Sequence, residues 1–309
     1  YAYIPHGPDI AVDEDQRGLF LEELSSSLQQ QLSSDHVCIR WDTAWPSPFT
    51  SSDYYTRSGQ WKGAPRNVVR ELRMNMGTRG RKLHKAPLDH LSPDTVIISL
   101  KESEDEILMR MRQTTRNSVR KALKSGLEIN IQDRSYLPRW YSLYKATAER
   151  KGLYFEKESY FEKLLQTAAE QKGGTAEQKG SIAEQKGGMA PSVFIISAEK
   201  DSIPLAGFIV AISGTRAWFL FAGSSLAGRE YMPNYGLQWE TIRYLRKKGC
   251  TSYDLMGVPP NNDPYHSMYG LYTFKTGLGG RLVHYSGCWD YPLDSEGYTS
   301  LRNTEILTS

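Results

Sequence analysis

Most of the short signals by which an enzyme is identified are missing from this chain. Its 309 residues hold three cysteines, Cys38, Cys250 and Cys288. They are too few and too scattered for a disulfide framework or a CxxC metal site, which points to a reducing, cytoplasmic setting. The six histidines, at 6, 36, 84, 90, 266 and 284, show no metal-ligand spacing. The motifs GxxxxGKS/T, GxGxxG after a strand, GxSxG and HExxH do not occur. Nucleotide hydrolysis, dinucleotide redox chemistry, serine hydrolysis and zinc proteolysis thus lose their best sequence support. Long apolar runs are missing too. The longest uncharged, mostly apolar run, Ile203 to Thr215, has 13 residues, against the roughly 20 a helix needs to cross a bilayer. Tyr1-Ala-Tyr-Ile-Pro is not a basic start followed by an apolar stretch, so no secretory signal is read there. The chain does not begin with Met, and the expectation is that it starts partway through a domain.

What is present looks ordinary in bulk and uneven in detail. Hydrophobic residues make up 39% and charged residues 24%, which excludes collagen-like, coiled-coil and wholly disordered chains. At roughly 150 residues per domain, the length predicts two domains. The net charge of +3 hides two basic clusters. Lys62 to Lys85 carries eight Lys/Arg and one acid, Glu71; Arg110 to Lys124 carries six Lys/Arg and no acid. A polyanionic partner would select such clustering, and a solvated helix face with a basic loop would also produce it.

Periodicity predicts a helix over 13–32, a strand at 37–41, a long loop over 43–66 and a strand at 96–100. Ser103 with Glu106 forms a capping box that opens a helix closed by Gly126, with Arg112, Arg116, Arg120 and Lys124 at successive steps of four. From residue 127 the predicted order is strand, two helices, three antiparallel strands near 193–198, 203–213 and 217–222, helix 234–248, strand 252–256, short helix 265–276 and strand 281–288. The pentapeptide AEQKG recurs at 169–173, 176–180 and 183–187. Gly in every copy makes a poor helix, so this segment reads as a low-complexity insertion lengthening a mobile loop. Gly277-Leu-Gly-Gly280 reads as a turn.

The element order from 127 onward is similar to the N-acyltransferase (GNAT) fold. The stretch Ala222 to Asn234, AGSSLAGREYMPN, lacks the Q/R-x-x-G-x-G/A signature with which that fold binds coenzyme A. Three stretches then resemble the Fem family of aminoacyl-tRNA-dependent peptidyltransferases, which build peptidoglycan cross-bridges. They are RQTTRNSVRKALKSGLEI (112–129), YMPNYGLQWETIRYLRKKGCTSYDLMGVPP (231–260) and YGLYTFKTGLGG (269–280), with Phe274-Lys275 as the family's Phe-Lys pair. YIPHGP from Tyr3 and Ile39-Arg-Trp-Asp42 are weaker matches. The resemblance implies an α/β chain of two GNAT-like domains with mixed, largely antiparallel sheets. The first would take 1–126 plus about 289–309 and lack its initial strands; the second would take 127–288, with the insertion at about 169–190.

The implied reaction is attack by the stem-peptide amine of a peptidoglycan precursor on an aminoacyl ester carried by tRNA. It would proceed in the cytoplasm without metal or coenzyme, on a UDP-linked or lipid-linked precursor, with peripheral contact at the inner membrane face. Lys275 would balance the oxyanion, although a lysine near a helix end also complements the helix dipole. Asp42 would orient the acceptor amine or take its proton, although a strand-end Asp also makes turns. Phe274, Tyr231 and Tyr269 would line the substrate site together with Tyr235, although aromatics at these spacings more often build a core, and Arg112, Arg116 and Arg120 would meet phosphates, as would Arg70, Arg73, Arg79 and Arg81. Asp254 reads as an Asx turn, and nothing pairs His266 with a carboxylate. Two alternatives stay open: a coenzyme A-dependent acetyltransferase, and a non-enzymatic nucleic-acid-binding module using the helix from Ser103 to Ser125.

Overall fold

The computed structural model describes residues 1–173 and 189–308. In chain order the elements are β1 (Ala2–Pro5), α1 (Arg17–Gln29), β2 (Cys38–Pro46), α2 (Asn67–Met74), β3 (His84–Lys85), β4 (Asp94–Ser99), α3 (Glu104–Arg110), α4 (Gln113–Lys124), β5 (Glu128–Gln132), α5 (Leu137–Lys151) and α6 (Glu158–Gly173). Then come β6 (Met189–Lys200), β7 (Ile203–Gly214), β8 (Arg216–Ser224), α7 (Pro233–Lys247), β9 (Ser252–Gly257), α8 (Tyr269–Gly277), β10 (Arg281–Pro292) and α9 (Ser295–Thr308). Two units result. The first takes Tyr1–Thr95, Gly257–Tyr269 and Val283–Ser309, and the second takes Val96–Met256 and Gly270–Leu282.

These boundaries differ from 1–126 and 127–288 for identifiable reasons. Residues 96–126 go with the second unit because α4 packs on α7, where a Cβ on Gly236 would stand 3.0 Å from that of Ala122. Residues 283–288 go with the first because β10 runs antiparallel to β2, from Tyr285 opposite Pro46 to Pro292 opposite Cys38.

In the first unit β1 adds parallel to β2, and β3 pairs with β10. Leu21 of α1 joins Ile39, Trp41, Trp45, Leu83, Trp289 and Tyr291 in the core. Arg40 lies in the same strand and is wholly buried. It is held by both carboxylate oxygens of Asp290 at 2.7 and 2.8 Å and both of Glu305 at 2.6 and 2.8 Å. The clamp ties α9 to β2, a connection that nothing in the local sequence announces.

The second unit follows the order expected from residue 127: β5, α5, α6, the antiparallel β6–β7–β8, α7, β9, α8 and the start of β10. Trp140 of α5 stacks on Tyr144 and meets Phe161 of α6 edge-on, and Tyr144 and Phe161 both meet Phe221 of β8 edge-on. Gly223 of β8 has to be glycine, since a Cβ there would lie 2.4 Å from the Tyr144 nitrogen. α6 runs on to Gly173, past the expected end near Gln171. The rest of the AEQKG segment, 174–188, lies outside the described residues.

The helix expected over 103–126 is two helices. The capping box at Ser103 and Glu106 is present, but Met111 and Arg112 take extended ψ values of 150° and 148°. The Arg112 N–H donates to Gly277 O at 2.9 Å instead of to its own helix, and the Arg116 guanidinium covers the carbonyls of Met109 and Met111 at 2.9 and 2.5 Å. α2 and α9 are further helices that periodicity did not announce.

Candidate active site

In the second unit β8 and β9 run parallel, but their pairing covers only Arg216–Trp218 against Ser252–Asp254. The register shift on the β7 side of β8 leaves Leu220 as an extra residue between Phe219 and Phe221, and such a bulge bends and twists its strand. The two strands therefore part beyond Trp218 and Asp254. Lys275 of α8 reaches into that parting. Its Nζ donates to Met256 O of β9 at 3.2 Å and lies 5.6 Å from the centre of the Phe219 ring on β8.

Both strands shape this position. Asp254 Oδ1 accepts the Met256 N–H at 2.7 Å, the Asx turn expected from YDLMG. Met256 itself sits at φ 60°, an unusual value for a non-glycine residue. α8 is steered by its other face, where Phe274 packs edge-on against Tyr235 of α7 at 5.1 Å. Lys275 is only 5% exposed. Burial pulls its pKa from 10.5 down to about 8, opposed by the negative charge of Asp254. At neutral pH the side chain thus carries a positive charge in a dry setting, where such a charge acts most strongly on a developing anion.

The other expected residues fall in several places. Asp42 is 3% exposed within β2 of the first unit, and its Oδ2 accepts from the Tyr3 hydroxyl at 2.8 Å and the Leu91 N–H at 3.0 Å. In this arrangement the carboxylate fastens β1 and the 89–91 segment to β2. Tyr231 lies under the Lys200 ammonium at 5.3 Å, and Tyr269 opens α8 with its ring partly exposed. Arg112 bonds Thr276 Oγ1 at 3.0 Å while Arg120 is exposed. The supposed stripe is thus divided: Arg116 serves carbonyls at the helix break, and Arg120 faces solvent. In the first unit Arg70 donates to Ser286 O at 2.9 Å, with burial holding its pKa down, and Arg73 pairs with Glu14. His266 Nδ1 takes the Met268 N–H at 3.0 Å.

Sequence reasoning did not find Phe219 and the Met256 carbonyl. Only the YDLMG turn pointed toward the second of them. Among the described residues no group of three His, Cys, Asp or Glu side chains is placed to hold a metal ion.

The FemAB family profile matches residues 1–173 and 166–304. The lipid II:glycine glycyltransferase of Staphylococcus aureus is 26% identical over 265 residues, covering 70% of this chain and 63% of that protein. The protein of the same name from Staphylococcus epidermidis is 24% identical over 253 residues, covering 68% and 61%. This chain thus spans about three-fifths of the length of these relatives. A crystal structure of FemX superposes with a TM-score of 0.71 at 19% identity, covering 97% of this chain and 82% of that one, so the two share a fold.

Proposed function

This chain belongs to the FemAB family, and from that premise we propose that it transfers an amino acid from aminoacyl-tRNA to the stem-peptide amine of a peptidoglycan precursor. The names of the relatives favour a lipid-linked acceptor. In the reaction the neutral amine attacks the ester carbonyl, a C–N bond forms, and the C–O bond to the ribose breaks. The amine gives up one proton and the departing ribose oxygen gains one.

The observation that carries this reading is the Lys275 ammonium, buried where β8 and β9 part and charged at neutral pH. It is the group assigned to balance the oxyanion, a role in which one fixed donor contributes about 3 kcal/mol. Phe274 acts on the same reaction by setting α8 against Tyr235, which aims Lys275. Tyr231 and Tyr269 are assigned to the substrate surface, and Arg120 and Arg112 to tRNA phosphates. Asp42 is assigned to the acceptor side of the reaction, with Tyr3 and Leu91 fixing its orientation.

The test is to incubate the protein with mixed charged tRNAs and a wall-precursor extract and to read the mass added to the precursor. An added aminoacyl mass that depends on charged tRNA and disappears with Lys275→Met supports the reading. Addition that persists without tRNA, or is unchanged in Lys275→Met, overturns it.

A further inference from the structure

α2 is built inside out. On a helical projection Val68, Val69 and Leu72 share one arc of about 100°, and they are 75%, 45% and 72% exposed; Met76, in the turn just past the helix, is 63% exposed. The polar arc faces the protein. Arg70 donates to Ser286 O, Glu71 Oε1 accepts the Lys85 N–H at 2.9 Å, and Asn75 exchanges hydrogen bonds with both the carbonyl and the N–H of Leu83 at 2.7 and 3.1 Å. The helix cannot roll to hide its apolar edge without giving up these bonds. α1 also locks it, since a Cβ on Gly18 would fall 1.7 Å from Met74 O.

We infer that the outward edge of α2, Val68, Val69 and Leu72, together with Met76 in the turn that follows, is a docking surface for an anionic lipid bilayer. Charge is the reason to choose lipid. Lys62, Arg66, Arg79, Arg81 and Lys82, in the segments that flank α2 in the chain, are exposed. Four of the nearby acids are engaged: Glu14 pairs with Arg73, Glu23 lies 3.8 Å from Arg79, Glu22 accepts the Arg79 and Gly80 N–H groups, and Glu71 accepts the Lys85 N–H. An apolar edge with a basic surround fits headgroup phosphates above and acyl chains below. Size argues the same way. An eight-residue helix is about 12 Å long and about 10 Å across, so its edge offers on the order of 100 Å², far short of the roughly 800 Å² per partner that a stable protein interface buries. A bilayer needs no such matched area. The inference deepens the peripheral membrane contact that the resemblance implies by giving it a surface, and it rests on α2 and its basic flanks, not on the transfer chemistry.

The test is flotation of the full chain with vesicles of phosphatidylcholine and of phosphatidylcholine mixed with phosphatidylglycerol, free of tRNA and wall precursor, so that the outcome is separate from that of the transferase reading. Binding should be about tenfold stronger to the anionic vesicles. Val68→Ser with Leu72→Ser should weaken it about tenfold, and Arg66→Gln with Arg81→Gln should weaken it and flatten its salt dependence. As a gain-of-signal measurement, Leu72→Cys carrying a polarity-sensitive dye should shift to the blue only with anionic vesicles. Labelling is selective because Cys38, Cys250 and Cys288 are buried. Binding indifferent to these substitutions, an unshifted dye, or self-association that depends on Leu72 would each overturn the assignment.

Discussion

Two buried cations, one in each unit, show how the same burial can serve opposite ends. Arg40 in the first unit is met by two carboxylates through four short hydrogen bonds, and these, working against desolvation, raise its pKa. Lys275 in the second has a carbonyl and an aromatic ring as neighbours with Asp254 as the opposing charge, and burial lowers its pKa to about 8. A cation whose charge is locally matched holds a fold together. One whose pKa burial lowers is costly to the fold and suited to act on a reacting group.

The comparison can be broken first at Arg40. Replacing it with Met leaves Asp290 and Glu305 facing each other in the interior, so stability should fall by about 3–5 kcal/mol, as read by urea unfolding. Unfolding that is unchanged would mean the clamp adds nothing. Lys275→Met should do the reverse. Turnover should drop about 10²–10³-fold with KM nearly constant, while the protein keeps its stability or gains.

The sign follows from linkage. Between about pH 8 and 10.5 the unfolded chain holds the Lys275 proton and the folded chain does not, so wild-type stability rises with pH across that window. Below pH 8 the full penalty of about 3 kcal/mol is present, at 1.36 kcal/mol per pH unit. Urea unfolding of the wild type and of Lys275→Met across pH 7–10.5 should therefore converge toward the alkaline end. Parallel curves would place the lysine in water. In turnover, the cation role requires the rate to fall above about pH 8, and Lys275→Arg should move that limb to higher pH. A rate that climbs through this range and ignores Lys275→Arg would make the side chain a base or a bystander.

The smallest effect separates the arginines that the sequence grouped together. Arg116→Ala should cost about 1 kcal/mol because it uncovers two carbonyls at the break between α3 and α4. Arg120→Ala should leave stability alone and lower the salt slope of tRNA binding by about one. Equal effects of the two would restore a single solvated stripe.

Much of the second unit was legible because its signals are local. Alternating strands, the capping box at Ser103, Gly152 at φ 62° closing α5 and the turn at Lys200–Ser202 each act over a few residues. The first unit was read less well for the same reason. α2 exposes its apolar arc, so the usual match between period and burial is inverted there, and β2 is buried along nearly its whole length instead of alternating. The site was legible through one pair, Phe274-Lys275, and through the Asx turn at Asp254. Asp42 was marked by resemblance, but its partners Tyr3 and Leu91 lie 39 and 49 residues away. The break at Arg112 depends on Gly277, which helical spacing could not show.

The residues by themselves determined the element order from 127 onward, the kinship with the FemAB family, and which lysine to watch, since periodicity, caps and short motifs are properties of neighbours in the chain. Tertiary structure alone decided that Lys275 would lie between Phe219 and Met256 with its proton weakened, that Arg40 would be clamped from α9, and that α2 would turn its apolar edge outward. Burial and charge pairing are set by residues that meet only after the chain has folded, and it is those meetings that separate a cation held by carboxylates from one whose charge burial weakens.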